Sequence, residues 1–138
     1  MERSIELTDL MLRVYEALRE SDNAFFDRYV SSADGLLAIG TDPTEWWEGK
    51  ATFTRVLKAQ LEEMGGFPVV PGNPQAYREG SVGWVADRPM IRFPDGTEIP
   101  LRLTFVFHQE DGGWKIVQWH ASTGVSNQEA LGEELTTE

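Results

Sequence analysis

The stretch that decides the fold is the C-terminal run Gly112-Gly113-Trp114-Lys115-Ile116-Val117-Gln118-Trp119-His120-Ala121-Ser122. Glycines open the run as a turn, and a long segment of β-forming residues follows. The segment before the turn, around 101–107, alternates between large apolar side chains and a mixed set. The two segments therefore predict the last hairpin of an antiparallel sheet.

Alternation with a period of two predicts which face of each strand looks inward. We assign one apolar set to the inner face: Leu101, Leu103, Phe105, Phe107, Val117, Trp119 and Ala121. The opposite set is mixed: Arg102, Thr104, Val106, His108, Ile116, Gln118, His120 and Ser122. A surface that is neither polar nor fully apolar is typical of an interface between two copies, although an ordinary hydrated face fits as well.

The rest of the chain predicts helices first and strands afterwards. Apolar residues recur at helical spacing over about 5–20, and shorter or similar patterns follow over about 22–31 and 49–64. A short buried strand is expected at 36–39. Further strands are expected at about 67–79, 81–93, 98–109 and 114–123. This is an α+β layout, with three helices covering one face of a sheet.

Composition limits the class of function. The chain has 138 residues, enough for one domain, and 12 Lys and Arg against 23 Asp and Glu give a net charge of −11. Such a surface repels phosphate backbones and anionic lipids, so nucleic-acid and membrane partners are not expected. There are no cysteines and no signal-like or membrane-spanning run, so we expect a cytoplasmic protein without disulfides.

Three blocks resemble one family. Gly40 to Gly49 (GTDPTEWWEG) resembles the strand-to-helix loop of SnoaL-like proteins, Gly80 to Ala86 (GSVGWVA) is similar to one of their strands, and Gly112 to Ser122 is similar to their closing strand. The blocks follow the family's order. They indicate a SnoaL-like member of the nuclear transport factor 2-like (NTF2-like) superfamily, which includes ketosteroid isomerases, polyketide cyclases and the association domain of calmodulin-dependent kinase II.

The resemblance implies a cone, in which a strongly curved mixed or antiparallel sheet wraps around three N-terminal helices and leaves a pocket at its open end. It implies one domain over 1–125, with 126–138 as an acidic tail. It also implies a homodimer formed through the outer sheet face, including Gln118 and His120. It implies no reaction, because the fold carries enzymes, binding proteins and assembly domains.

Two residues are weak catalytic candidates. Asp42 follows the predicted short strand, where it is either a general base at the pocket mouth or, as we favour, an Asx-turn residue. Tyr15 falls on the inward stripe of the first helix. Its phenol either donates to a substrate oxygen, as the resemblance to ketosteroid isomerases implies, or simply packs in the core.

Aromatic residues are the candidate pocket walls. Of the neighbours Trp46 and Trp47 we expect at most one to touch a ligand, and Phe53 on the next helix fits the core better than a contact. The strands add three further wall candidates: Trp84, Phe105 and Trp119.

No metal or cofactor is expected. His108 and His120 have no metal-ligand spacing, and nucleotide-binding and nucleophile-elbow motifs are missing from the sequence. We therefore expect a protein that binds a small apolar ligand in an aromatic pocket, with cofactor-free isomerase, cyclase or hydrolase activity as the candidate chemistry and the reaction left open. The alternative is a non-catalytic homodimeric assembly domain with a filled interior.

Overall fold

Helices dominate the first half of the chain and strands the second in the computed structural model, which describes residues 1–138. The helices are α1 (Ile5–Glu20), α2 (Asn23–Tyr29), α3 (Lys50–Met64) and the short α4 (Asn127–Leu131). The first three match the predicted helices within two residues at each end. The fourth lies within the segment that we expected to be an acidic tail, and it buries none of its side chains.

Capping groups set the helix boundaries. The Ser4 hydroxyl accepts a hydrogen bond from the Leu7 amide, and the Asp22 carboxylate accepts one from the Phe25 amide. Each of these bonds satisfies a backbone donor that has no partner within its own helix. Helix α3 ends at Gly65, whose φ of 69° is readily available to glycine.

Ten strands form two sheets. They are β1 (Glu2–Arg3), β2 (Leu37–Ile39), β3 (Trp46–Glu48), β4 (Val69–Val70), β5 (Gln75–Glu79), β6 (Val82–Asp87), β7 (Met90–Arg92), β8 (Glu98–Pro100), β9 (Arg102–Glu110) and β10 (Gly113–Ser122). A large curved sheet has the order β1-β5-β6-β9-β10-β2-β3, and a small one has the order β4-β7-β8. Because β2 runs parallel to β10 while the other pairs are antiparallel, the large sheet is mixed.

The predicted long strands are interrupted, and proline accounts for two of the breaks. Pro71 and Pro74 bracket the gap between β4 and β5, and Pro89 separates β6 from β7. Proline lacks the amide that a sheet ladder requires, so the chain passes from one sheet to the other at these points. The segments released in this way build the small sheet.

A β-bulge in β10 reverses the predicted inward and outward positions in the first part of that strand. Ile116 pairs with Phe107, whereas Gln118 pairs with Val106, so Val117 is the extra residue. Trp114 and Ile116 therefore point inward before the bulge, and Trp119 points inward after it. The inward prediction for Val117 and the outward one for Ile116 were wrong, while the inward orientation of Phe105 and Trp119 is confirmed.

The predicted inward orientation of Trp84 was also wrong. On β6 the buried positions are Gly83, Val85 and Asp87, so Trp84 faces the opposite side and stacks on Tyr77 with ring centroids 6.3 Å apart. A side chain at Gly83 would collide with Leu7 of α1, and this close approach of helix and strand explains why glycine faces inward there.

The core lies between the helices and the inner face of the large sheet. It contains 24 buried apolar residues, contributed by α1, α2, α3 and the strands. No helix has the length and apolar character needed to cross a lipid bilayer.

Candidate functional site

The core is not filled throughout. A cavity of about 230 Å³ lies where α1, α3, the loop after β2 and both sheets meet. Its lining is mostly apolar and includes Leu18, Trp47, Phe53, Ile91, Leu103 and Trp119. Thr41 and Thr123 also line it and are exposed to solvent, so the cavity opens on that side.

Aromatic rings hold one wall of the cavity in place. Trp119 lies 4.4 Å from Phe105 and 5.1 Å from Phe53 between ring centroids, and Phe53 stacks on Trp47 at 6.1 Å. Phe105 is fully buried behind Trp119 and does not line the cavity. Of the predicted wall residues, the structure brings three together at the cavity: Trp47, Phe53 and Trp119.

One charged side chain lines the cavity, and it is Glu45. Its Oε2 accepts a hydrogen bond of 2.6 Å from Gln60 Nε2 of α3, and its Oε1 accepts one of 2.8 Å from the Asp42 amide. Gly40 makes room for it, because a Cβ there would lie 2.7 Å from Glu45 Oε1. These contacts fix the carboxylate at the polar side of the cavity.

Asp42 has a different role from Glu45. It is exposed, does not line the cavity, and accepts hydrogen bonds from the Thr44 hydroxyl at 2.6 Å and the Thr44 amide at 2.9 Å. These bonds favour the ionised form and lower the pKa of Asp42 below its usual value. This is the Asx turn that we favoured at the sequence level, and a lowered pKa weakens a carboxylate as a base.

Tyr15 lies in the filled part of the core and does not line the cavity. Its hydroxyl donates a 2.6 Å hydrogen bond to Asp87, which is also buried. Burial, together with this bond to a carboxylate, raises the pKa of Tyr15 far above its ordinary value. Asp87 also accepts the amides of Gly72, Asn73 and Arg88, so the pair joins α1 to two loops.

The remaining candidates lie away from the cavity. Trp46 is 59% exposed and belongs to β3 rather than to a loop. Trp84 lies on the outer face together with His108 and His120, and His108 contacts Glu110 at 3.1 Å. No group of three or more His, Asp or Glu side chains is arranged to hold a metal ion.

Glu45 and Gln60 are not among the site residues predicted from the sequence, although the sequence carries a signal for each. Asp42 and Glu45 have the spacing of a capping box, in which a glutamate accepts the amide three residues earlier. Gln60 follows Phe53 and Leu57 at helical spacing, which places it on the inward face of α3.

An α+β domain with helices on a mixed sheet and a cavity between them defines a broad class, and comparison with known proteins gives the family. The SnoaL-like domain family matches residues 7–126. The chain therefore belongs to the SnoaL-like family. A search of curated proteins found no match to this sequence.

Solved structures share the fold at low sequence identity. An NTF2-like protein of unknown function from Pseudomonas putida KT2440 has a TM-score of 0.76 and 19% identity, over 96% of this chain and 93% of that one. A putative dehydratase from the NTF2-like family of Streptomyces avermitilis has a TM-score of 0.70 and 15% identity, over 88% of this chain and 95% of that one. A putative ketosteroid isomerase from Parabacteroides distasonis has a TM-score of 0.69 and 18% identity, over 88% of this chain and 89% of that one.

Proposed function

We propose that this protein binds a small, largely apolar molecule in the cavity beside Trp119. The observation that carries the proposal is the coexistence of a cavity of about 230 Å³ with a carboxylate in its lining, Glu45, that hydrogen bonds hold in place. Ligand sites are typically concave and apolar, with a few placed polar groups that orient the ligand. The volume is below the roughly 300–1,000 Å³ of pockets for drug-sized molecules, which favours a small ligand.

The chemistry available in the cavity is proton transfer. Glu45 is the one ionisable side chain in the lining, and its free lone pairs can accept a proton from a bound molecule. Similarity to a putative dehydratase and a putative ketosteroid isomerase supports isomerase or dehydratase chemistry as a class. A single carboxylate fits several such reactions, so we propose ligand binding and name no one reaction.

Filling the cavity tests the binding proposal. Ala121 lines it and is half-buried, so Ala121→Leu places extra methyl groups in the space. In a thermal-shift screen of small aromatic and aliphatic compounds, the parent chain should be stabilised by some compounds, because ligands that bind only the folded state raise the melting temperature. Ala121→Leu should lose those shifts, and Ala59→Leu on the exposed side of α3 should keep them.

The same screen separates binding from the alternative function. If no compound shifts the parent chain, or if Ala121→Leu keeps the shifts, the binding proposal fails. A non-catalytic assembly domain then becomes the better account. Its interior would be structural, and its function would lie in the outer sheet face.

That outer face supports a second proposal, a homodimer. Residues paired side by side on neighbouring strands form rows across this face, and the central rows are rich in apolar side chains: Leu37, Ile39, Trp46, Tyr77, Trp84 and Val106. Gln118 and His120 lie in the middle of these rows. An aromatic, partly apolar face of this kind is typical of an interface, and its carboxylates, Glu48, Glu79 and Glu110, lie at the ends of the rows rather than at the centre.

A charge placed in the middle of this face tests the dimer. His120→Glu should turn a dimer into a monomer in analytical ultracentrifugation, because two copies would bring like charges together. Gln128→Glu adds the same charge on the exposed α4 and should leave the dimer intact. A dimeric His120→Glu variant, or a monomeric parent chain at high concentration, would rule out this face.

A further inference from the structure

The lining of the cavity points to the chemical class of its ligand, and the geometry points to a small apolar molecule that carries a protonated amine. This inference rests on the proposed ligand-binding function and adds what the bound molecule must contain. The juxtaposition that supports it is one carboxylate, one amide and several aromatic side chains around a small space. Three separate observations lead to the same class of ligand.

The charge of the lining is the first observation. Glu45 is its one charged residue, and no Lys, Arg or His contributes to it. The arginines near this end are engaged elsewhere or outside the cavity: Arg92 pairs with Glu98 at 3.0 Å, and Arg102 donates to Ser122 at 3.2 Å. A bound anion would therefore meet a carboxylate with no cation to offset it, whereas a cation would gain a partner.

The second observation is unused hydrogen-bonding capacity. An ionised carboxylate has about four acceptor positions, and Glu45 uses two of them, for Gln60 and the Asp42 amide. Gln60 makes its one side-chain hydrogen bond through Nε2, so its carbonyl oxygen accepts no hydrogen bond within the chain. An ammonium group brings three donors and no acceptor, so it matches a site with free acceptors.

The third observation is the aromatic wall. Trp47, Phe53 and Trp119 all line the same cavity as Glu45. The faces of aromatic rings attract cations, tryptophan most strongly, and the attraction grows when the cation is removed from water. Aromatic rings beside a carboxylate are thus suited to an ammonium group on an apolar body.

Three probes of similar size test the inference: 2-phenylethylamine, 2-phenylethanol and phenylacetate. Their dissociation constants for the full chain would be measured by isothermal titration calorimetry at neutral pH and low salt. We expect the amine to bind at least about tenfold more tightly than the alcohol, since a charge-assisted hydrogen bond is stronger than a neutral one. Phenylacetate should bind most weakly.

Variants assign the preference to Glu45. Glu45→Gln should bind the amine and the alcohol equally, because it keeps the size of the side chain and removes its charge. Glu63→Gln removes an exposed charge from α3 and should retain the preference of the parent chain. Thermal melts of both variants establish that the comparison is made on folded protein.

The possible failures are distinguishable. If the parent chain binds the alcohol or phenylacetate as tightly as the amine, or if Glu45→Gln keeps the preference, the inference about ligand class is wrong while ligand binding stands. If none of the three probes binds the parent chain while the thermal-shift screen still finds a compound whose shift Ala121→Leu loses, the inference about ligand class is wrong and ligand binding stands. If that screen also finds no compound, both the inference and the proposed function are contradicted.

Discussion

Asp87 and Glu45 are two carboxylates that face the interior, and their surroundings differ. Asp87 is buried in a filled region, where it accepts hydrogen bonds from the Tyr15 hydroxyl and three backbone amides. Glu45 is half-buried beside a cavity and accepts two. A carboxylate whose acceptors are all used stabilises the fold, whereas one with free acceptors next to open space is available to a ligand.

Removing Asp87 should have the largest effect on stability. Asp87→Ala leaves the buried Tyr15 hydroxyl without its acceptor, which costs about 1–3 kcal/mol, and it also removes the acceptor of three part-buried amides. We expect a loss of about 3 kcal/mol or more in the free energy of unfolding, measured by urea denaturation. Asp34→Ala, at an exposed position, should change it by less than about 0.5 kcal/mol. Similar losses in the two variants would contradict the structural role of Asp87.

Tyr15→Phe should have the next largest effect, about 1–3 kcal/mol, because it removes one buried donor from Asp87. It should also change the response to alkali. The pKa of Tyr15 is higher in the folded chain than in the unfolded chain. Its contribution to the free energy of unfolding is therefore complete below about pH 10 and is lost as the pH rises further.

Denaturation curves between pH 8 and about 11 test this sign. The parent chain should lose stability with rising pH more steeply than Tyr15→Phe. Tyr77→Phe is the matched control, since the Tyr77 hydroxyl makes no hydrogen bond within the chain and the ring lies on the outer face. Equal slopes for the parent chain and Tyr15→Phe would contradict the buried Tyr15–Asp87 bond.

Glu45→Gln should have the smallest effect on stability. The amide keeps an acceptor for Asp42 or Gln60, so we expect a change within about 1 kcal/mol in urea denaturation. A loss as large as that of Asp87→Ala would mean that Glu45 is also a structural carboxylate, and the comparison on which the site rests would fail.

Most of the fold could be predicted from the sequence, because helical and strand periodicities reflect local geometry. The helix stripes, the glycine turns and the inward positions of Phe105 and Trp119 all follow from spacing. The bulge at Val117 does not, since one extra residue reverses the parity of everything before it and leaves no local signature.

The site was harder to predict, because the size and charge of a side chain do not show whether it faces the interior. Trp84 is large and apolar and was placed inside, yet β6 turns Gly83 and Asp87 inward, and the partners that make a buried Asp87 tolerable come from distant segments. Asp42 and Glu45 lie three residues apart in one loop, and the sequence does not show which carboxylate lines the cavity. The folded loop shows that the Asp42 carboxylate accepts two hydrogen bonds from Thr44 instead.

The five tryptophans allow one measurement that tests the central claim, that the cavity beside Trp119 takes a ligand. Trp47 and Trp119 line it, Trp46 and Trp84 lie on the outer face, and Trp114 is buried at the filled end. In a nitrogen–proton correlation spectrum titrated with 2-phenylethanol, the indole signals of Trp47 and Trp119 should move together while the other three stay in place. Movement confined to Trp46 and Trp84, or no movement at Trp119 when the probe binds, would contradict the account.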